Sequence, residues 1–218
     1  MTLDYSIARE NMVEQQVRPW DVLDARVLEV LATLPREAFV PEIHRALAYA
    51  DLEIPLGHGQ KMMKPVVEGR TLQGLLVQPD EDVLEIGTGS GYLSACLGAL
   101  ARDVVSLEIQ PELATQARAR LDATGLGNNV RIENVDALSY STDRRFDAIC
   151  VTGAVASIPP RFLEWLRPGG RLFVVRGQSP VMEAVLYTAD VNGARTDSLF
   201  ETDLSYLAGA APAPKFVF

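Results

Sequence analysis

The chain predicts an α/β fold: a mostly parallel sheet of about seven strands, helices on both faces, and a C-terminal antiparallel hairpin. Three observations predict it. Short apolar runs alternate with helical segments from Asp82 onward. The 218 residues contain no repeat or long linker, and that length suits one compact domain. The tail then changes to two strand-like runs around Asn192-Gly193, a two-residue hairpin signal.

Residues from Ile7 to about Leu34 place Val13, Val17, Val22, Val27, Leu28, Leu31 and Leu34 near helical spacing, with a break at Arg18-Pro19. Pro35 to Pro65 is rich in Pro and Gly and reads as irregular loop with short elements. Val67 to Val77 returns to a helical pattern. Residues 1–66 are therefore expected to form a helical and loop segment that covers the site as a lid, and 67–218 the core of a single compact domain. Strands are expected at Asp82–Ile86, Asp103–Glu108, Val130–Glu133, Phe146–Thr152 and Arg171–Val175. Helices are expected at Tyr92–Leu100, Pro111–Thr124 and Ile158–Leu166. The second opens on Pro111 and stops at Gly125; the third ends at Pro168-Gly169-Gly170.

Composition narrows the function. The net charge is −9 and no basic run occurs. Sequence-independent binding of nucleic acid neutralises phosphates with Lys and Arg, so no nucleic-acid partner is expected. Cys96 and Cys150 lack the spacing of a zinc or redox motif and are expected as small core residues. No metal is expected. The N-terminal MTLDYSIARENM has no basic start followed by an apolar stretch, and no run approaches a membrane span. These features predict a cytoplasmic protein.

The strongest functional signal is Glu85-Ile86-Gly87-Thr88-Gly89-Ser90-Gly91-Tyr92, where a strand ends, turns sharply and enters a helix. Glycines permit positive φ and close approach of a ligand, and the helix start exposes amides. The spacing is GxGxG. A dinucleotide site would show GxGxxG, but Tyr92 stands at the third position. No Gly-Lys-Ser/Thr follows, so this is not a phosphate-cradling loop. An acid two residues before the first Gly disfavours a pyrophosphate and suits a cation. S-adenosylmethionine carries a sulfonium and an ammonium, and Glu85 can hold the ammonium directly or through water. Glu108, at the end of the second strand, can accept from both ribose hydroxyls. Asp136, after the third, can accept from the adenine amino group. Three acids at three successive strand ends point to this cofactor on a Rossmann-like class I methyltransferase fold. Ile109 and Ala137, which follow two of the acids, complete the cofactor set with Gln60 and Thr152.

From about Val27 to Val175 the sequence resembles the protein-L-isoaspartate O-methyltransferase family. Pro35-Arg36-Glu37-Ala38-Phe39-Val40-Pro41 matches a family signature. Ala48-Tyr49-Ala50-Asp51 and Ile54 to Gln60 match its active-site approach. Glu85 to Tyr92 matches its cofactor turn, and Phe146 to Thr152 with Ile158 to Leu172 match later strands. The resemblance implies methyl transfer from S-adenosylmethionine to the isoaspartyl carboxylate of a protein or peptide, a step in protein repair.

The active-site loop departs from the family pattern Gly-Gln-Thr-Ile/Val-Ser-x-Pro. Here it reads Gly59-Gln60-Lys61-Met62-Met63-Lys64-Pro65, with Lys61 for the Thr and Met63 for the Ser. The tail Pro214-Lys215-Phe216-Val217-Phe218 departs as well. A carboxylate is ionised at pH 7 and needs no general base; it needs placement and removal of water. Acceptor positioning is therefore assigned to Lys61, Met63 and Lys64, with either lysine able to bind the carboxylate by charge. With Met63 in place of the hydroxyl, weak or absent isoaspartyl methylation is expected. His58 is the one histidine near this loop; His44 is read as structural. Two alternatives remain: a methyltransferase redirected to another acceptor, or a non-catalytic module that binds S-adenosylmethionine. Against an amino-group or base acceptor, the fourth strand is followed by no Asn/Asp-Pro-Pro-aromatic sequence; it reads Val151-Thr152-Gly153-Ala154.

Overall fold

The computed structural model describes residues 4–190 and 193–213. The N-terminal region is α1 (Tyr5–Asn11), a π-helical stretch (Met12–Val17), a 3-10 turn (Arg18–Trp20) and α2 (Ala25–Thr33). Asp4 caps α1 by accepting from the amides of Ser6 and Ile7, and Asp24 caps α2 by accepting from Arg26 and Val27. Pro19 marks the break between them, and the chain reverses at Asp21, where φ is 60°.

Two 3-10 turns (Arg36–Phe39 and Glu42–Leu47) lead to an antiparallel hairpin, β1 (Ile54–Gly57) and β2 (Gln60–Met62). The sequence suggested irregular loop with short elements here, and this hairpin is one of them. The hairpin closes because Gly57, His58 and Gly59 all take positive φ. There follow α3 (Pro65–Leu75), β3 (Asp82–Ile86), α4 (Tyr92–Leu100), β4 (Asp103–Glu108), α5 (Pro111–Thr124) and β5 (Val130–Asn134). The last elements are β6 (Phe146–Val155), α6 (Pro160–Glu164), β7 (Leu166–Gln178), β8 (Val181–Thr188) and β9 (Arg195–Thr202).

The main sheet has seven strands in the order β5-β4-β3-β6-β7-β8-β9. The first five in that order are parallel, and β8 and β9 add antiparallel. The chain winds one way from β3 and the other way from β6, so the order reverses between these neighbours. Ligands of open α/β sheets bind at such a reversal, outside the carboxyl ends of the strands.

Three local expectations change. The helix read over Ile158–Leu166 is only Pro160–Glu164. Pro159 and Pro160 push the residues before them away from helical backbone, and Leu166 already pairs with Phe146. Pro168-Gly169-Gly170 is not a loop before a strand but a bulge within β7: Phe146 pairs with Leu166, whereas Ala148 pairs with Arg171. The β7–β8 hairpin, closed by Ser179 and Pro180 between paired Gln178 and Val181, went unread. The antiparallel β8–β9 pair was expected, but Asn192 of its turn lies outside the described residues, as does the tail from Pro214.

Alternating residues of the strands feed two apolar layers. Val83, Val104 and Cys150 face α2, α3, α4 and α5, where Leu31, Leu72, Leu97 and Ala117 are buried. Leu84, Val105 and Ile149 face Phe162, Trp165 and the partly buried Val135, Leu138 and Tyr140. Met12, Val17 and Leu31 belong to the same continuous core as Tyr92 and Leu97. The N-terminal helical segment thus packs on α3 and α4, and among residues 4–66 those that line the strand-end cleft described below lie at Glu53 to Met63.

A ligand cleft at the carboxyl ends of the strands

The loop after β3 folds as its glycines permit. Gly87, Gly89 and Gly91 have φ of 99°, 54° and 86°. A Cβ on Gly87 would collide with Thr152 Oγ1. That hydroxyl is fixed from β6, where it can donate to the carbonyls of Ile86 at 3.0 Å and Gly87 at 2.6 Å. A Cβ on Gly91 would stand 3.1 Å from Ala117 Cβ, so this glycine lets α5 approach the start of α4.

Beside this loop lies a cleft of about 770 Å³, its open mouth included. Of the residues singled out from sequence, Gln60, Lys61, Gly87, Gly89 and Thr152 line it on one side. Glu108, Ile109, Asp136 and Ala137 line it on the other. An adjoining recess is lined by Glu85, Thr88, Ser90 and Met63, and shares Lys61, Gly87, Gly89 and Thr152 with the cleft. Lys64 lines neither; it borders a smaller hollow with Glu53, Val67 and Asp203. Gly91 and Tyr92 also line neither. The Tyr92 ring is fully buried, 5.7 Å from Phe39 and 5.1 Å from the Arg36 guanidinium carbon. Its side chain serves the core and not the cleft, because the helix that it opens turns it toward the N-terminal segment.

The three acids differ in environment. Glu85 is fully buried on β3. Its Oε2 accepts from Ser106 at 2.5 Å and from Ser94, whereas its Oε1 has no hydrogen-bond partner. Burial pushes the carboxyl up to about 7, against the pull of both hydroxyls and helped by the nearby Glu108. Glu108 is only 5% exposed. Its Oε2 accepts from Gly89 N and its Oε1 from Gln110 N, at 2.8 and 2.9 Å. Each oxygen keeps a further lone pair. Asp136 accepts from Leu138 N at 2.8 Å and so turns the chain after β5.

Around the altered loop, Lys61 lies 2.8 Å from Glu53 Oε2 across the hairpin. Met63 is buried, and its carbonyl accepts from Arg36 Nη2 at 2.8 Å. Arg36 is itself fully buried; it donates to Ala48 O and to both oxygens of Glu68. Burial pushes the Glu68 carboxyl up to about 8, while Arg36 pulls the other way. His58 stands 3.8 Å from Glu112 and lines neither cleft nor recess.

Sequence reasoning missed several of these residues. Ser94 and Ser106 give no pattern of their own. Arg36 sat in a flagged motif without a role, and Glu68 is a charge at an apolar helix position, which was a usable sign. The wall formed by Leu204, Ser205, Leu207 and Ala208 had no signal. It returns to the strand ends through backbone bonds from Ala154 N to Ser205 O and from Leu207 N to Ala154 O, both 2.9 Å.

The donor and acceptor set fits S-adenosylmethionine. A buried carboxyl oxygen without a partner calls for a hydrogen-bond donor, which the ammonium of the cofactor supplies. The cleft has acids at the ends of β3, β4 and β5, while Leu107, Ile109 and Leu113 offer apolar contact for a base. Among the described residues, no group of three or more His, Cys, Asp or Glu side chains could hold a metal ion. No helix among them is long and apolar enough to cross a membrane.

Comparison with known proteins agrees with this geometry. Residues 8–198 match the family model for protein-L-isoaspartate(D-aspartate) O-methyltransferase. The protein-L-isoaspartate O-methyltransferase 2 of Marinobacter nauticus is 40% identical over 184 residues, 84% of each chain. That of Myxococcus xanthus, a protein-L-isoaspartate O-methyltransferase, is 45% identical over 156 residues, 72% of this chain and 74% of the relative. A Plasmodium falciparum beta-aspartate methyltransferase crystallised with S-adenosyl-L-homocysteine superposes with a TM-score of 0.81 at 19% identity. The match covers 94% of this chain and 99% of that one.

Fold and site define a Rossmann-like class I methyltransferase. Within that class, the chain belongs to the protein-L-isoaspartate(D-aspartate) O-methyltransferase family, whose members use S-adenosylmethionine.

Proposed function

We propose that the chain methylates a carboxylate of a protein or peptide, binding S-adenosylmethionine in the cleft and the acceptor beside Lys61. One observation carries this reading: Glu85, Glu108 and Asp136 converge on one continuous cleft and recess, with the Gly87–Gly91 loop between them. Glu85 takes the ammonium of the cofactor on its unpartnered oxygen. Glu108 takes the ribose hydroxyls, and Asp136 with Ala137 the adenine edge. Gln60, Gly87, Thr88, Gly89, Ser90, Ile109 and Thr152 complete the walls. Bound S-adenosylmethionine supplies an electrophilic methyl group on sulfur.

What the chain contributes is placement. Lys61 borders both cleft and recess, and it exchanges Glu53 for the incoming carboxylate. Met63, buried at the recess, excludes water from the reacting carboxylate without giving it a hydrogen bond. No group needs to remove a proton, since the acceptor is already ionised. Residues 53–63 act as the lid; Lys64, outside the cleft, takes no part. Calorimetry with S-adenosyl-L-homocysteine and with NAD tests the cofactor assignment. Binding of the first alone is expected; binding of NAD alone would refute the site.

A further inference from the structure

Glu85 is held by an arrangement that the proposed reaction does not by itself require. Ser106 pairs in register with Glu85 on the neighbouring β4, and Ser94 approaches from α4. Both hydroxyls donate to the same carboxylate oxygen, Oε2. The single proton of Ser106 is spent there, so the 2.6 Å contact between Thr88 Oγ1 and Ser106 Oγ has Thr88 as donor. A buried relay therefore runs from Thr88, in the glycine loop, through Ser106 to Glu85. All four side chains are at most 5% exposed. The other oxygen, Oε1, is buried without a partner, and Glu85 and Thr88 both line the recess.

We propose that Ser94 and Ser106 are positioning residues for the cofactor: they saturate Glu85 Oε2, fix the rotation of the carboxyl group, and leave Oε1 to the ammonium of the ligand. This rests on the binding mode proposed above. The same two hydrogen bonds favour the ionised carboxyl, which burial opposes. The other charged or titratable groups around Glu85 are few. Glu108, on β4, opposes ionisation, and Cys150, in register on β6, stays a neutral thiol, raised by burial. Cys96 on α4 is raised likewise. Glu68 of α3 borders the recess but is paired with Arg36, and Lys61 borders it from β2. The serines are thus the hydrogen-bond donors that set when Glu85 carries charge.

The test is proton release on binding S-adenosyl-L-homocysteine to the whole chain. It is read by calorimetry in buffers of different ionisation enthalpy between about pH 5.5 and 8.5. The wild type is expected to release a proton below about pH 7, where Glu85 is protonated before binding. Ser106→Ala and Ser94→Ala, made singly, are each expected to move that midpoint up by about one pH unit, with roughly tenfold weaker binding at pH 6. Ser106→Thr and Ser94→Thr, which keep the hydroxyl, should restore it. Where an Ala variant does not fold, the Cys variant, a weaker donor, should show a smaller shift in the same direction. Glu85→Gln should release no proton. The ammonium of the ligand titrates identically throughout, so differences between variants report Glu85. Folded variants whose affinity falls equally at every pH, with an unmoved midpoint, would overturn the proposal. Absence of binding by the wild type would instead overturn the cofactor site itself.

Discussion

Arg36 and Glu68 form a fully buried ion pair: Arg36 Nη1 lies 3.1 and 2.9 Å from the two carboxylate oxygens, and the side chains are 0% and 2% exposed. The same guanidinium holds the carbonyls of Ala48 and Met63, so it ties the chain on both sides of the β1–β2 hairpin to α3. Removing one partner leaves an uncompensated buried group. Arg36→Ala should therefore destabilise the fold by about 3–5 kcal/mol, measured by urea unfolding. A loss below 1 kcal/mol would mean that Glu68, whose neutral form burial already favours, takes up a proton in place of its partner.

Glu108 joins cofactor binding to the shape of the glycine loop, because its carboxylate already accepts from Gly89 N. Glu108→Ala should weaken S-adenosyl-L-homocysteine by about 1–3 kcal/mol and lower Tm, since two amides lose their acceptor. Calorimetry and thermal melting together check this. Unchanged affinity in a folded variant would remove Glu108 from the ribose.

The two lysines of the altered loop are not equivalent, since Lys61 borders the cleft and recess and Lys64 neither. Lys61→Ala should lower kcat/KM for the acceptor by about 10- to 100-fold, the value of one charge-assisted contact. Lys64→Ala should change it little. Met63→Ser should raise the rate on isoaspartyl peptides by supplying a hydroxyl donor. Equal losses for both lysines would show that charge at the mouth, and not a contact with Lys61, recruits the acceptor.

The strands, the glycine loop and its three acids were legible because each rests on a local rule: apolar runs of strand length, positive φ at glycine, an acid at a strand end. What escaped depends on contacts between distant segments. The Arg36–Glu68 pair spans 32 residues, and the bond from Ser106 to Glu85 spans 21. The Leu204–Ala208 wall meets β6 through an isolated bridge between Ala154 and Tyr206. The direction of the Tyr92 ring, into the core, also escaped, because a motif places a residue's backbone but not the direction of its ring. The amides of Gly89 and Gln110 that Glu108 holds were also unread, because nothing in the neighbouring sequence announces them.

At the opposite end of the sheet, Asp82 accepts from Arg102 and Arg167, each at 2.8 Å, with Arg144 at 3.4 Å. Burial alone would raise this carboxyl; hydrogen bonds from Arg102 and Arg167 and the charge of Arg144 hold it below the usual range. A depressed folded pKa contributes stability above the unfolded value of about 3.9, and that contribution is lost as pH falls through the folded value. Asp82→Asn should thus lower stability at pH 7 by about 1–3 kcal/mol. The gap from wild type should close only below about pH 4. Denaturant melts across pH check this; a gap undiminished on going from pH 7 to pH 2 would refute the electrostatic origin.

The most direct test is the methyl bond itself. The purified chain is incubated with S-adenosylmethionine labelled in its methyl group and with matched isoaspartyl and aspartyl peptides, and the product is treated with mild base. The account predicts label on a carboxylate, released as methanol, greater for the isoaspartyl peptide, diminished by Lys61→Ala and increased by Met63→Ser. Label that survives base on an amine or ring, or no transfer to any carboxylate while S-adenosyl-L-homocysteine still binds, would contradict it.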